Sequence, residues 1–441
     1  MSSAPPRLLG PVPATCLVVG QVVGIGIFLT PAEMAQGLGA PGLVHGMWAL
    51  MGLMALTGAL CYGELASRFP EAGGAYVYLR EGWSERLAFL YGWKCLLVMD
   101  PGLTAALAAG LAGYAVHLWP QAPGGETGVA VIAILVLAAL SALGTRLAAG
   151  ALVALTALKL GVLAAIVVRG LFVLEPAAAG GLASLDRYAG APPLVPALSG
   201  GFVAAFFSFG GWWEAARMAG EVRDPQRTLP RAFVAGVAIV TAVYVVTSGV
   251  FMALVPPAEA GSATAFAALL GERLFGAAGG TVLGLAVCVS VAGSLAAVLL
   301  GSPRTYVALA RDGLFPERLA RLHPRFGTPV LSIAVQAGLG TLLVMVGTFS
   351  EIVAYFVFVT VAFIALSMAA LYRLPPPAAG GFVTPLRRVT PAVFLVLCGV
   401  LLVLLLAGRP TQALLGAAVV AAGVPVHAAL QRARVVGSEA A

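Results

Sequence analysis

Apolar stretches of about 20 residues, each long enough to cross a hydrocarbon core of roughly 30 Å as a helix, recur along the whole 441-residue chain. Backbone polar groups in lipid must be satisfied internally, so repeated spans of this kind are helices. Charged residues make up only 10% of the chain, against about 25% in a typical soluble domain, and such a surface cannot all face water. The expectation is an all-α polytopic membrane protein. Punctuation by Pro, Gly and charge predicts twelve spans, at 11–37, 42–66, 84–116, 127–145, 150–173, 195–221, 231–255, 273–311, 328–348, 350–373, 388–407 and 410–430.

The net charge of +7 does not point to nucleic acid, because no basic run with interleaved aromatics occurs. Most Lys and Arg instead fall in short loops on one side of the predicted spans. Arg169, Arg187, Arg273 and Arg409 fall on the other side, and Lys94 and Lys159 lie within spans. The positive-inside rule then places both termini in the cytoplasm of a plasma (inner) membrane protein. Residues 1–10 and 431–441 are the expected cytoplasmic tails. Arg7 precedes a long Gly-rich apolar stretch, which reads as a first span rather than a cleaved signal peptide. The five cysteines all fall in apolar segments and read as small buried residues. His45, His117, His323 and His427 are scattered without ligand spacing, so no metal site is expected. No phosphate-cradling Gly-rich motif followed by Lys-Ser/Thr occurs, and no cofactor is expected. With no His/Asp/Ser constellation gathered at one membrane face, an enzyme is disfavoured. Chemistry has to happen between helices.

Two spans carry glycine breaks at mid-membrane. The first contains Gly20-Gln21-Val22-Val23-Gly24-Ile25-Gly26-Ile27-Phe28, with Pro31 a turn later. Unwinding there frees NH and C=O groups that a polar ligand can satisfy, although the same glycines also suit close helix packing. The sixth contains Phe206-Phe207-Ser208-Phe209-Gly210-Gly211-Trp212-Trp213-Glu214. Matching interruptions in two halves of a transporter mark a substrate site. Half-helix N-termini suit a carboxylate and carbonyl ends suit an ammonium, so a zwitterionic amino acid fits both. Lys159 is the lone charge in the apolar run from Leu147 to Val168, and an intramembrane charge usually marks function. Lys94 and Asp100 both lie in span three, six residues apart, where an ideal helix makes a direct pair awkward unless Pro101 bends it. Asp100 and Glu214 are candidates for specificity or proton coupling.

These motifs, with Tyr62-Gly63-Glu64-Leu65-Ala66, Arg68-Phe69-Pro70-Glu71-Ala72-Gly73-Gly74-Ala75-Tyr76, Glu221-Val222-Arg223-Asp224-Pro225 and Ala310-Arg311-Asp312-Gly313, make the chain resemble the amino acid–polyamine–organocation superfamily, L-amino-acid-transporter-like branch. The resemblance covers about residues 10–375. It implies a LeuT-like fold of two inverted five-helix repeats, here 11–173 and 195–373, with broken helices one and six, and two further helices over 388–430.

It also implies roles, residue by residue. Backbone at Val23, Gly24, Ile25, Gly26 and Ile27 would hold a substrate carboxylate, and Phe207 would lie over the substrate as a gate. Backbone around Ser208, Phe209 and Gly210 would receive the amino group. Lys159 would stand where sodium-coupled relatives hold an ion, bonding to span-one backbone and to Ser290 or Ser294. Phe251 occupies a span-seven position where many relatives have tyrosine, so a hydroxyl contact to the unwound helix is expected to be missing. Glu64, Arg68, Glu71, Arg311 and Asp312 are expected to build a cytoplasmic gate and loop contacts. The function so implied is sodium-independent secondary transport of small or medium neutral L-amino acids. A cationic amino acid or polyamine permease using Asp100 is the alternative, and a transporter-like sensor the weaker one. The loop Trp119 to Thr127 has no cysteine, so no disulfide-linked subunit is expected.

Overall fold

The computed structural model describes residues 9–439 except 72, 144–147, 174–180, 262, 376 and 378–380. Most of the expected N-terminal tail, Arg7 within it, Ala72 of the loop motif and the end of the fourth predicted span fall outside these residues. Among the described residues the fold is helical, with one isolated bridge, Leu9 to Val222, in place of any strand.

Span one is a bent pair, α1 (Pro11–Val22) and α2 (Gly26–Leu38), meeting at 41°. Next come α3 (Pro41–Arg68), the short loop helix α4 (Ala75–Gly82), and span three, built from α5 (Glu85–Lys94) and α6 (Asp100–Leu118). Spans four and five are α7 (Gly125–Ala142) and α8 (Ala148–Val173). Span six begins as α9 (Leu194–Phe209) and resumes as a 3-10 helix, Trp212–Glu221. Then follow α10 (Pro225–Leu254), α11 (Ala263–Phe275), and span eight as α12 (Gly279–Gly301) with α13 (Pro303–Arg311). The last four spans are α14 (Val330–Val346), α15 (Phe349–Ala369), α16 (Val389–Gly408) and α17 (Pro410–Glu439).

Nine of these are long and apolar enough to cross a membrane, and the bent pair counts as a tenth span. With α8 and the 17-residue α14, the helices match the twelve predicted. Three boundaries differ. The seventh span was expected from 231, but α10 starts at Pro225. The eighth was expected from 273, but Arg273 lies in the last turn of α11, and a turn through Gly276 (φ 80) separates it from α12. The final helix runs on to Glu439, through most of the expected tail. Two cysteines also depart from expectation: Cys16 is exposed and Cys288 half-buried, whereas Cys61, Cys95 and Cys398 are buried.

Spans two, six and seven pack through aromatic rings where span six breaks. Tyr244 stacks edge-on to Trp48 (5.4 Å) and Phe209 (5.3 Å), and Tyr62 to Trp212 (5.2 Å). Edge-to-face pairs add directional attraction to the burial of large apolar areas, which holds the broken ends in register. At the N-terminal side, Glu64 is fully buried and pairs with Arg68 and Arg387, while its second oxygen accepts from Thr384 N at 2.8 Å. The connection after span ten is thereby stapled to span two. The loop helix α4 is tied to the end of span eight by Tyr76 Oη donating to Asp312 at 2.7 Å, with Arg80 3.7 Å from the same carboxylate. Burial, with Asp312 beside it, pushes the Tyr76 phenol above its ordinary pKa, so it stays a donor.

Candidate functional site

The two breaks meet. A Cβ placed on Gly26 would lie 2.5 Å from the Ser208 Cα, so α2 begins in direct contact with the end of α9. Gly211 (φ 112) is equally constrained, since a Cβ there would sit 2.6 Å from Gln21 O. Gly24 is different: its nearest neighbours would be Val22 O at 3.8 Å and Ser294 Oγ at 3.9 Å, leaving its face open. One glycine of the pair therefore packs, and the other leaves space at the cavity while its own amide donates to Val22 O at 2.7 Å. Tyr244 Oη ties the breaks together, lying 3.1 Å from Val22 O and 3.3 Å from Ser208 O. The hydroxyl contact expected to be missing at Phe251 is supplied two turns away on the same helix. Phe251 itself packs its ring on Phe266 at 5.8 Å.

A cavity of about 110 Å³ opens at this junction. Of the residues singled out in sequence, Gly24, Ile25, Gly26, Phe207 and Gly210 line it, together with Lys159, Ser294, Asp100 and Glu214. Val23, Ile27, Ser208, Phe209, Ser290 and Phe251 are buried around it without lining it. The opening amides of α2 have no acceptor inside their own helix, and no side chain caps them. Toward the cavity they present a positive helix end, while the last carbonyls of α9 present a negative one. One cavity thus faces two opposite backbone poles.

Lys159 is 2% exposed and donates to Ser294 Oγ at 2.6 Å; Ser294 Oγ in turn lies 3.4 Å from Ser290 O. Its ammonium thus sits on span eight, beside the open face of Gly24. A buried ammonium is costly unless acceptors meet it, and the Ser294 hydroxyl provides one.

A second charged group lines the opposite wall. Span three inserts a π-helical turn, Cys95–Met99, before α6. Such a turn shifts the helical register by one residue and often sits at functional sites. The turn separates Lys94 from Asp100. The Lys94 Nζ lies 2.8 Å from Met99 Sδ and 4.8 Å from the Tyr91 ring centre. Asp100 accepts from Tyr306 Oη at 2.7 Å, and Arg217 Nη2 is 3.8 Å away. Arg217 also pairs with Glu214 at 2.6 Å, three residues back on the 3-10 helix. Sequence reasoning missed Arg217 and Tyr306. The three-residue spacing of Glu214 and Arg217 was the available signal, because a 3-10 helix eclipses positions i and i+3.

Phe207 closes the cavity on the side away from the N-terminus. Its ring stacks edge-on to Phe349 (5.5 Å) and Phe356 (6.2 Å), from the start of span ten.

Comparison with known proteins agrees with this architecture. The profile of the amino acid permease family matches residues 9–424. The chain is 28% identical to the serine/threonine exchanger of Bacillus subtilis, over 83% of each chain. To the large neutral amino acids transporter small subunit 2 of Oryctolagus cuniculus it is 29% identical, over 95% of this chain and 79% of the relative. To the Asc-type amino acid transporter 1 of Mus musculus it is 28% identical, over 95% and 80%. A match along nearly the whole length establishes kinship, and the chain belongs to the amino acid permease family of membrane transporters.

Proposed function

We propose that this protein is a sodium-independent secondary transporter of small or medium neutral L-amino acids, working by alternating access at the plasma membrane with both termini in the cytoplasm. The observation that carries the reading is Lys159, held 2.6 Å from Ser294 Oγ beside the open face of Gly24. A fixed ammonium there takes the place of a coupling cation. The amides opening α2 receive the carboxylate, and the carbonyls ending α9 receive the amine. Spans 11–173 and 195–373 act as the two inverted repeats, and Phe207 is the gate on the external side.

Neutral substrates fit because Asp100 and Glu214 already face Arg217 and Tyr306. The relatives named as a serine/threonine exchanger and a large neutral amino acids transporter agree with this. A second reading, a cationic amino acid or polyamine permease, draws on Asp100, which lines the same cavity and whose Oδ1 makes no hydrogen bond. Arg217 competes with a substrate cation for that oxygen. No disulfide-linked subunit is proposed, since the loop between spans three and four carries no cysteine.

A counterflow screen in proteoliposomes tests this, using the twenty amino acids and common amines, with and without sodium and a pH gradient. Neutral amino acids should exchange equally well in sodium and in choline. Strict sodium dependence refutes the role given to Lys159, selective uptake of amines favours the second reading, and binding without flux points to a sensor.

A further inference from the structure

On the far side of Phe207 lies a second cavity, of about 170 Å³, at the ends of the spans opposite the N-terminus. Thr30 and Glu33 of span one, Ser199 of span six, Ser350 of span ten and Arg409 line it, and Phe207 is a wall of both cavities. Its charges are one carboxylate and one guanidinium. They are close enough for Arg409 to attract Glu33, yet among the described residues neither enters an ion pair. Glu33 Oε1 lies 3.2 Å from Ser350 Oγ, which leaves its other oxygen open. Glu351, the other carboxylate within the field of Arg409, is engaged by the amide and hydroxyl of Thr348 at 3.0 and 2.8 Å.

The position of Arg409 is built in. It occupies the turn between α16 and α17, and the preceding Gly408 lies so close to span six that a Cβ there would be 2.4 Å from Ser199 Oγ. Ser199 donates from the same contact to Leu404 O at 2.8 Å. The turn is thus seated on α9, and the guanidinium stands over the cavity opposite Glu33.

Opposite charges held across a cavity without touching match a ligand that carries both. We propose that this vestibule is a second, outer binding site for a zwitterionic amino acid, its carboxylate on Arg409 and its ammonium on Glu33 and Ser350. The guanidinium fork suits a carboxylate, and Phe207 and Phe349 offer the side chain an apolar wall. An occupant rests against the ring that separates it from the central cavity, so the site delivers substrate to the gate. This rests on the reading of the chain as an amino acid transporter.

The test uses oriented proteoliposomes of the full chain and L-serine exchange, with KM measured separately at each face for the wild type, Glu33→Gln and Arg409→Gln. Each variant should raise KM roughly three- to five-fold at the vestibule face alone, the size expected for one exposed charge contact. L-serine methyl ester, which lacks the carboxylate charge, added at the vestibule face as a competitor of L-serine exchange, should have an inhibition constant that Arg409→Gln leaves unchanged and Glu33→Gln raises. Unchanged KM at the vestibule face, or an equal rise at both faces, overturns the outer site while leaving the transport reading intact. A wild-type protein with no flux for any amino acid sinks both.

Discussion

The two breaks look alike in sequence and differ in what they do. Span one unwinds for three residues and resumes as an α-helix that carries no charge into the cavity, so it offers backbone. Span six breaks at Gly210-Gly211 and resumes as a 3-10 helix carrying Glu214 and Arg217. Through Arg217 that helix reaches Asp100 at the π turn of span three. On the proposed reading both breaks offer backbone to the ligand, and span six adds a charge tie that joins its resumed helix to span three.

Removing the charge tie should have the largest effect. Arg217→Gln leaves Glu214 and Asp100 facing each other's charge in a buried setting, and breaking a buried pair costs about 3–5 kcal/mol. Thermal unfolding of the purified protein should show that loss. The double variant Arg217→Met with Glu214→Leu should recover much of it, since buried pairs are often replaceable by apolar groups. A single variant as stable as wild type would break the comparison at its span-six end. Gly26→Ala comes next. The Cβ would meet the Ser208 backbone at 2.5 Å, and overpacking of this kind costs about 1–3 kcal/mol. Tyr244→Phe should be milder, about 1 kcal/mol for the hydroxyl shared between the two breaks. Its exchange rate should fall as well if that hydroxyl keeps the breaks in register.

Much of this was legible in the sequence. Length and apolarity predicted the spans, and Gly-x-Gly and Gly-Gly marked the breaks, because few other residues leave a helix so readily in mid-membrane. Lys159 was legible as a charge with no apolar explanation. Other features depend on tertiary packing and left no local mark. Nothing in Cys95-Leu96-Leu97-Val98-Met99 distinguishes a π turn from an α-helix. Tyr244 is one of three aromatics in a 30-residue helix, and only the packing of α10 against spans one and six selects it. The start of span eight was misplaced because α11 is apolar enough to read as its continuation, and the turn at Gly276 carries no proline to interrupt it.

The smallest effect on stability should come from Gly24→Ala, and that makes it the sharpest test. Two residues from Gly26, it has the opposite surroundings: the added methyl would meet nothing closer than 3.8 Å. Replacing glycine outside a strained turn also narrows the unfolded ensemble, which offsets any cost, so unfolding should shift by no more than about 0.5 kcal/mol either way. The methyl would nonetheless project toward the cavity and Ser294, where a carboxylate approaching the α2 amides must pass. Apparent affinity for a neutral amino acid should therefore fall about ten-fold or more, equivalent to roughly 1.4 kcal/mol of lost contact. Equilibrium binding and thermal unfolding on the same preparation decide it. If Gly24→Ala and Gly26→Ala lose stability together and keep affinity together, both glycines are packing residues, and the open backbone of span one is not where substrate binds.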